Sequence, residues 1–214
     1  MNRKVVLLML MVLALISFNH AQGQNPEPQM LKGFVDNAIQ KGYSASVRIC
    51  LYDTVRKMKI PSYFSGVVVS KEGHILTVAH GVQVGKKYVA IFPDGTEVST
   101  VTLGRIAFKE SNTRVKHDLA MLKIDEPGEW PVGTHSADKF EGGKSVRLDG
   151  FKKVFAHDAN IKSDECGGPV FDAEGNFYGI NIARFSRTTT LVLPAPVIFD
   201  IITKDQLTIT KDKL

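Results

Sequence analysis

Ser65-Gly66-Val67-Val68-Val69-Ser70-Lys71-Glu72-Gly73-His74-Ile75-Leu76-Thr77-Val78-Ala79-His80 is the stretch on which the reading of this chain turns. Tyr63–Ser70 and His74–Val78 are short apolar runs of strand type. Between them Lys71-Glu72-Gly73 supplies a turn whose glycine can take positive φ, so the two runs read as a hairpin. That hairpin delivers His80 just past the end of its second strand. Working outward, Ser46–Tyr52 is the strand before it. Lys87–Phe92 and Thr96–Leu103 flank Pro93-Asp94-Gly95, which carries the Asp-Gly hairpin signal. Leu119–Ile124 is a further strand.

Past Pro127 a second block repeats the pattern. Its strands are predicted at Ser145–Leu148, Lys153–His157, Pro169–Phe171, Phe177–Ala183 and Thr189–Leu193, with Glu174-Gly175-Asn176 closing a hairpin. Ala195–Lys204 has Val197, Ile198, Ile201 and Ile202 at helical spacing and is predicted as a helix. Many short strands in two blocks of similar size point to an all-β pair of barrels. Strand pattern alone leaves a sandwich open.

The chain has 214 residues, 43% hydrophobic and 23% charged, which is ordinary globular composition. At its start Arg3 and Lys4 precede an apolar run, Val5–Phe18, and the small-residue site Ala21-Gln22-Gly23. This reads as a signal peptide, residues 1–23, because the run is too short for a membrane span. Residues 24–45, with Pro26 and Pro28, read as a linker leading into a short helix or loop, and 205–214 as a solvated tail. The formal charge of +5 falls by the two early cations on cleavage. What remains, with no Lys/Arg cluster or aromatic-basic stripe, argues against nucleic acid. No second apolar run is long enough to span a bilayer. Export puts the chain in an oxidising compartment, secreted or periplasmic, where Cys50 and Cys166 are candidates for a disulfide.

Three places carry chemistry. The first is the strand end at His80. The second is His117-Asp118-Leu119-Ala120-Met121-Leu122-Lys123-Ile124, in which an aspartate opens a strand. Alternation places His117 on the opposite face from Asp118, as a surface residue. The third is Asp164-Glu165-Cys166-Gly167-Gly168-Pro169-Val170, a tight turn that opens a strand. His74, His135 and His157 lack metal-ligand spacing, so no metal site is predicted.

Taken together, SGVVVSKEGHILTVAH, HDLAMLKID and DANIKSDECGGPVFDAEGNFYGINIAR resemble the trypsin/chymotrypsin superfamily, and most closely the protease domain of the HtrA (Deg) group. The order His, Asp, nucleophile is also that of the superfamily. The resemblance covers 46–204. It implies two antiparallel six-stranded-type β-barrels, about 46–125 and 130–194, followed by the C-terminal helix. No PDZ domain is expected after Leu214. By the same resemblance His80 is the base, Asp118 the group that orients it and Cys166 the nucleophile. The backbone N–H groups of Asp164 and Cys166 are the expected oxyanion donors. Asn160, six residues before the nucleophile, and Asn181 are the expected substrate-pocket residues. An amide at Asn160 would not select strongly for basic side chains. No cofactor is implied, and the expected partner is a polypeptide substrate or a protein.

The chain departs from the pattern in three ways. Cysteine stands where such proteases usually carry serine, although a thiolate beside an imidazolium is a competent nucleophile. Asp164 stands where the family usually has glycine, and Glu165 follows it. Two carboxylates there disfavour a developing negative charge. The interval from Gly150 to Cys166 is short, leaving the second barrel short of a strand or with a reduced pocket wall. Cys166 is thus an active thiolate, a relic on a non-cleaving peptide-binding protein, or a disulfide partner of Cys50. Oligomeric state is not legible.

Overall fold

The computed structural model describes residues 28–83, 85–108, 116–133, 146–148 and 151–204. Residues 1–34 group as one unit, of which only the opening of a helix is described, and residues 35–214 as a second. That helix, α1 (Pro28–Ala45), has 18 residues and occupies most of the stretch read above as linker. Proline suits its first position, where no N–H is needed. The signal-peptide and tail assignments lie outside the described residues.

Eleven strands follow: β1 (Ser46–Asp53), β2 (Met58–Val68), β3 (His74–Val78), β4 (Lys87–Ile91), β5 (Glu97–Phe108), β6 (Lys116–Ile124), β7 (Val146–Leu148), β8 (Phe151–His157), β9 (Pro169–Phe171), β10 (Phe177–Ser186) and β11 (Thr189–Pro194). The chain then ends its described part in α2 (Ala195–Lys204). The first six strands run in the order β3-β2-β1-β4-β5-β6, and β3 pairs with β6, so this half closes into a barrel. The predicted Asp-Gly turn is present, with Gly95 at φ +89°, a conformation open to glycine without steric cost. The second half is an antiparallel sheet in the order β7-β8-β11-β10-β9. Among the described residues it has five strands and no closing pair. The all-β, two-part architecture with a C-terminal helix is the predicted one, and among the described residues the second part has five strands to the first part's six.

Continuous apolar runs in β2, β3 and β6 have a physical reason. Val68, Ile75, Ala120, Leu122 and Ile124 point into the first barrel, packed with Val47, Ile49 and Tyr88. Their neighbours Val67, Leu76, Val78, Leu119 and Met121 point the other way, into a core with Ile180, Ile182, Leu191, Leu193 and Ile198 of the second half. Successive side chains on a strand face opposite sides. A strand buried on both sides must therefore be apolar at every position. That double burial fuses the halves and fixes the edge along which the chemical groups lie.

Candidate active site

His80 sits in a short 3-10 turn, Ala79–Gly81, directly after β3. The β3–β6 ladder pairs Val78 with Leu119, which brings the residue before Leu119 beside the residues after Val78. That residue is Asp118. Its Oδ2 lies 2.7 Å from His80 Nδ1, and its Oδ1 accepts the His80 backbone N–H at 2.9 Å. One carboxylate thus holds both ring and backbone of one histidine. Asp118 is only 13% exposed at its side chain while His80 is 55% exposed, so the ring reaches into solvent from an anchored base.

The register of β6 explains how Asp118 comes to face His80. Ile106 pairs with Leu119 and Phe108 with Lys116, so β6 takes one more residue than β5 over this interval. A one-residue β-bulge re-aims side chains. Here it falls at His117-Asp118, and Asp118 adopts φ +50°. Aspartate tolerates this left-handed conformation better than most residues. The bulge also corrects the reading of His117. It is not a surface residue but is 6% exposed, because alternation does not hold through a bulge.

Cys166 follows a second 3-10 turn, Ser163–Glu165. The turn is tied on both sides. Glu165 Oε2 accepts the Lys162 N–H at 2.6 Å. Ser65 binds it twice, its N–H donating to Cys166 O at 2.9 Å and its Oγ donating to Asp164 O at 2.9 Å. Thr77, buried in β3, donates from Oγ1 to Ser65 O at 2.6 Å and completes a brace from the histidine strand to the nucleophile turn. Gly167 donates to Asn181 O at 2.7 Å, and Asn181 N–H donates to Gly168 O at 2.9 Å. At Gly167, φ is +87° and a Cβ would lie 2.1 Å from Ser65 O, so no other residue fits. The brace through Ser65 and Thr77 was missed by sequence reading, because both residues lie in the hairpin motif without any sign there of a bond to the distant Cys166 turn.

The Cys166 turn lies close enough to the His80 ring for its sulfur to act on the ring's titration. The Asp118 carboxylate first, and the Cys166 sulfur second, push His80 up to about 10, against a smaller opposing effect of burial. Both influences favour the protonated ring, and a protonated imidazole is the kind of counter-ion that suits a thiolate. Cys50 and Cys166 are both free and buried. The disulfide reading is thereby excluded. Burial pushes the Cys50 thiol up, as expected for a small apolar residue in a strand.

The expected oxyanion donors are not both aimed at one point. Cys166 N–H faces Ser163 O at 3.4 Å, a long contact inside the turn. In a trans peptide the C=O and N–H point in opposite directions. Ser163 O therefore stands at the mouth of the hole, and the Asp164 N–H points away. In this conformation the hole is closed.

Asn160 and Asn181 line one cavity of about 730 Å³, with Ser65, Arg48, Glu165 and Gly168 on its walls. It runs alongside the nucleophile turn. His157 Nδ1 accepts the Ala159 N–H at 3.1 Å, which leaves the ring proton on Nε2, 2.9 Å from Asn181 Oδ1. The Asn181 amide is thus oriented by a histidine that sequence reading had set aside. Among the described residues no three His, Cys, Asp or Glu side chains gather as a metal-binding set, and His135 lies outside them.

A histidine carried past a strand end, fixed by a bulged aspartate and facing a nucleophile turn from a second β half, is the arrangement of the trypsin-like proteases, here with cysteine at the nucleophile position. Comparison with known proteins gives the nearer relation. The chain is 28% identical over 149 residues to a probable periplasmic serine endoprotease DegP-like of Brucella suis, covering 57% of this chain and 28% of that protein. It is 27% identical over 189 residues to the similarly named protein of Bartonella henselae, covering 76% and 35% respectively. The chain thus spans about a third of the length of these relatives. Among solved structures, an HtrA-type protease with a tripeptide superposes with a TM-score of 0.61 at 23% identity, over 79% of this chain and 62% of that one. A serine endoprotease from Yersinia pestis gives 0.64 at 19% identity, over 81% and 66%. No family model matches the chain. The resemblance to HtrA-type protease domains, read above from three motifs, holds in sequence and in fold. No helix among the described residues is long and apolar enough to cross a membrane.

Proposed function

We propose that this protein is an exported endopeptidase that cleaves polypeptides through Cys166, His80 and Asp118. The observation that carries this reading is the Asp118–His80 pair at 2.7 Å, with the Cys166 sulfur among the groups that act on the same ring. The Cys166 thiolate attacks the scissile carbonyl carbon, forming a C–S bond and a tetrahedral oxyanion. Imidazolium His80 gives its Nε2 proton to the amine nitrogen, the C–N bond breaks, and a thioester remains. Neutral His80 then takes a proton from water as the water oxygen attacks the thioester. Carboxylic acid leaves, and the thiolate–imidazolium pair is restored. Asp118 keeps the ring proton on Nδ1 throughout. Asn160 and Asn181 form part of the wall against which substrate lies, with the Asn181 NH2 left to donate. The periplasmic naming of the relatives and the N-terminal sequence support a periplasmic or secreted location, reached through a signal peptide.

A second reading, a peptide-binding protein that does not cleave, is favoured by one observation, the closed hole at Ser163–Asp164. Fluorescently labelled casein, an unstructured polypeptide, separates the two. Cleavage that is lost in both Cys166→Ala and His80→Ala supports the peptidase. Casein retained on the protein but uncut, with Cys166→Ala indistinguishable from the parent, supports the binding reading and overturns the first.

A further inference from the structure

The peptide between Ser163 and Asp164 decides whether the nucleophile turn can hold an anion. Downstream of it the turn is pinned. Ser65 Oγ holds Asp164 O, Ser65 N–H holds Cys166 O, and Asn181 O holds the Gly167 N–H. Upstream, the Lys162 N–H is held by the Glu165 carboxylate. Among the described residues the Ser163–Asp164 unit is held only by the long 3.4 Å contact from Cys166 N–H, so it can turn while the other bonds named here stay.

Turning one peptide over changes ψ of the residue before it and φ of the residue after it by about 180°. Opening the hole therefore moves Asp164 to positive φ. In the closed form it does not have that conformation. The non-glycine residues at positive φ among the described residues are Lys57, Asp118 and Lys153. Glycine takes positive φ freely, whereas a β-carbon resists it.

We propose that Asp164 is a positioning residue that biases the turn toward its closed form, through the backbone conformation its β-carbon imposes rather than through its charge. This deepens the reading of Cys166 as nucleophile and rests on it. Asp164→Gly lowers the cost of opening. Asp164→Ala removes the charge and keeps the β-carbon. Asp164→Asn removes the charge and tolerates positive φ better than alanine.

The test uses two probes. With p-nitrophenyl acetate, the Cys166 sulfur bonds to the acetyl carbon, the C–O bond breaks, and nitrophenolate leaves with the electron pair. This acylation builds an oxyanion, so it reads the hole. Alkylation by iodoacetamide builds none, and serves to normalise each variant for thiolate reactivity. Normalised acylation is expected to rise by about a hundredfold in Asp164→Gly, the lower end of the scale on which one oxyanion donor acts. Asp164→Ala is expected to stay near the parent, with Asp164→Asn between. Equal gains in Gly and Ala would show a charge effect and overturn the proposal, as would acylation that is measurable in the parent and no faster in Gly. Amide hydrogen exchange at Cys166 reads the same flip without chemistry, and is expected to be faster in Asp164→Gly. Faster exchange with no acylation in any variant would uphold the role of Asp164 and defeat the nucleophile reading. Unchanged exchange would overturn the role of Asp164 whatever the acylation shows.

Discussion

The two halves of this protein bring unequal contributions to one site. The first closes on itself through β3 and β6, and the same ladder that closes it sets Asp118 beside His80. The second is, in its described part, a five-stranded sheet with no closing pair, and it carries the turn with the unusual residues Asp164, Glu165 and Cys166. In the first half, closure and chemistry depend on the same hydrogen bonds. In the second, the Cys166 turn is positioned largely by a brace from the first half, Ser65 and Thr77. The histidine and aspartate are therefore set by the fold they belong to, while the conformation of the cysteine turn is separately adjustable.

That contrast can be broken at adjacent residues of one strand. Ile75 faces the first barrel and Leu76 faces the shared core. Each truncation to alanine is expected to cost about 2–5 kcal/mol. The account further expects only Leu76→Ala to loosen the Cys166 turn, seen as faster amide exchange at Gly167. Equal exchange in both variants would argue against a division of labour between the faces. Gly167→Ala attacks the brace directly. Its Cβ would overlap Ser65 O and Thr77 Oγ1 at a positive φ, and a loss of about 3 kcal/mol in chemical denaturation is expected. Ser65→Ala deletes one neutral hydrogen bond to Asp164 O and should cost about 1 kcal/mol. A loss near zero would mean that Oγ adds nothing to the brace.

The smallest expected effect is on stability against pH. His80 is pushed up from its ordinary 6.5 to about 10, first by Asp118. A group whose folded value is raised stabilises the fold fully below its unfolded value, and that contribution fades as pH rises toward and through the folded value. The melting temperature of the parent should therefore exceed that of His80→Ala at pH 6, with the gap narrowing toward pH 10. A gap that widened with pH would contradict the assigned pairing. The ring is half exposed, so solvent screening keeps the effect small.

Much of the fold was legible because its strands are short, apolar and punctuated by glycine turns, and β3, β9 and α2 match the predicted limits. The β2, β3 and β6 strands each carry apolar residues at successive positions, as at Val67-Val68, Ile75-Leu76 and Leu119–Leu122, and the reason, burial on both faces, appears only once the halves are packed. The place of His80 just past the end of β3 is one that sequence shows, whereas Asp118 lies inside β6 and owes its direction to the bulge. What sequence does not show is backbone irregularity and long-range bonding. The bulge that buries His117 leaves no local signal, nor does the Ser65–Asp164 contact, whose partners lie 99 residues apart. The direction of the Ser163–Asp164 peptide depends on a single torsion, and glycine-rich motifs do not report it. The 24–45 stretch looked like linker because its prolines and polar residues mask a helix that starts at one of those prolines.

The central claim is that His80 and Cys166 act as one ionised pair. It is tested most directly by the rate of iodoacetamide alkylation of Cys166 as a function of pH, in protein with Cys50→Ala, compared with the same protein carrying His80→Ala. The account predicts a rate that stays high well below pH 8 with His80 present and collapses there without it. A rate that rises only around the ordinary thiol range, about 8.5, and is indifferent to His80→Ala would contradict it.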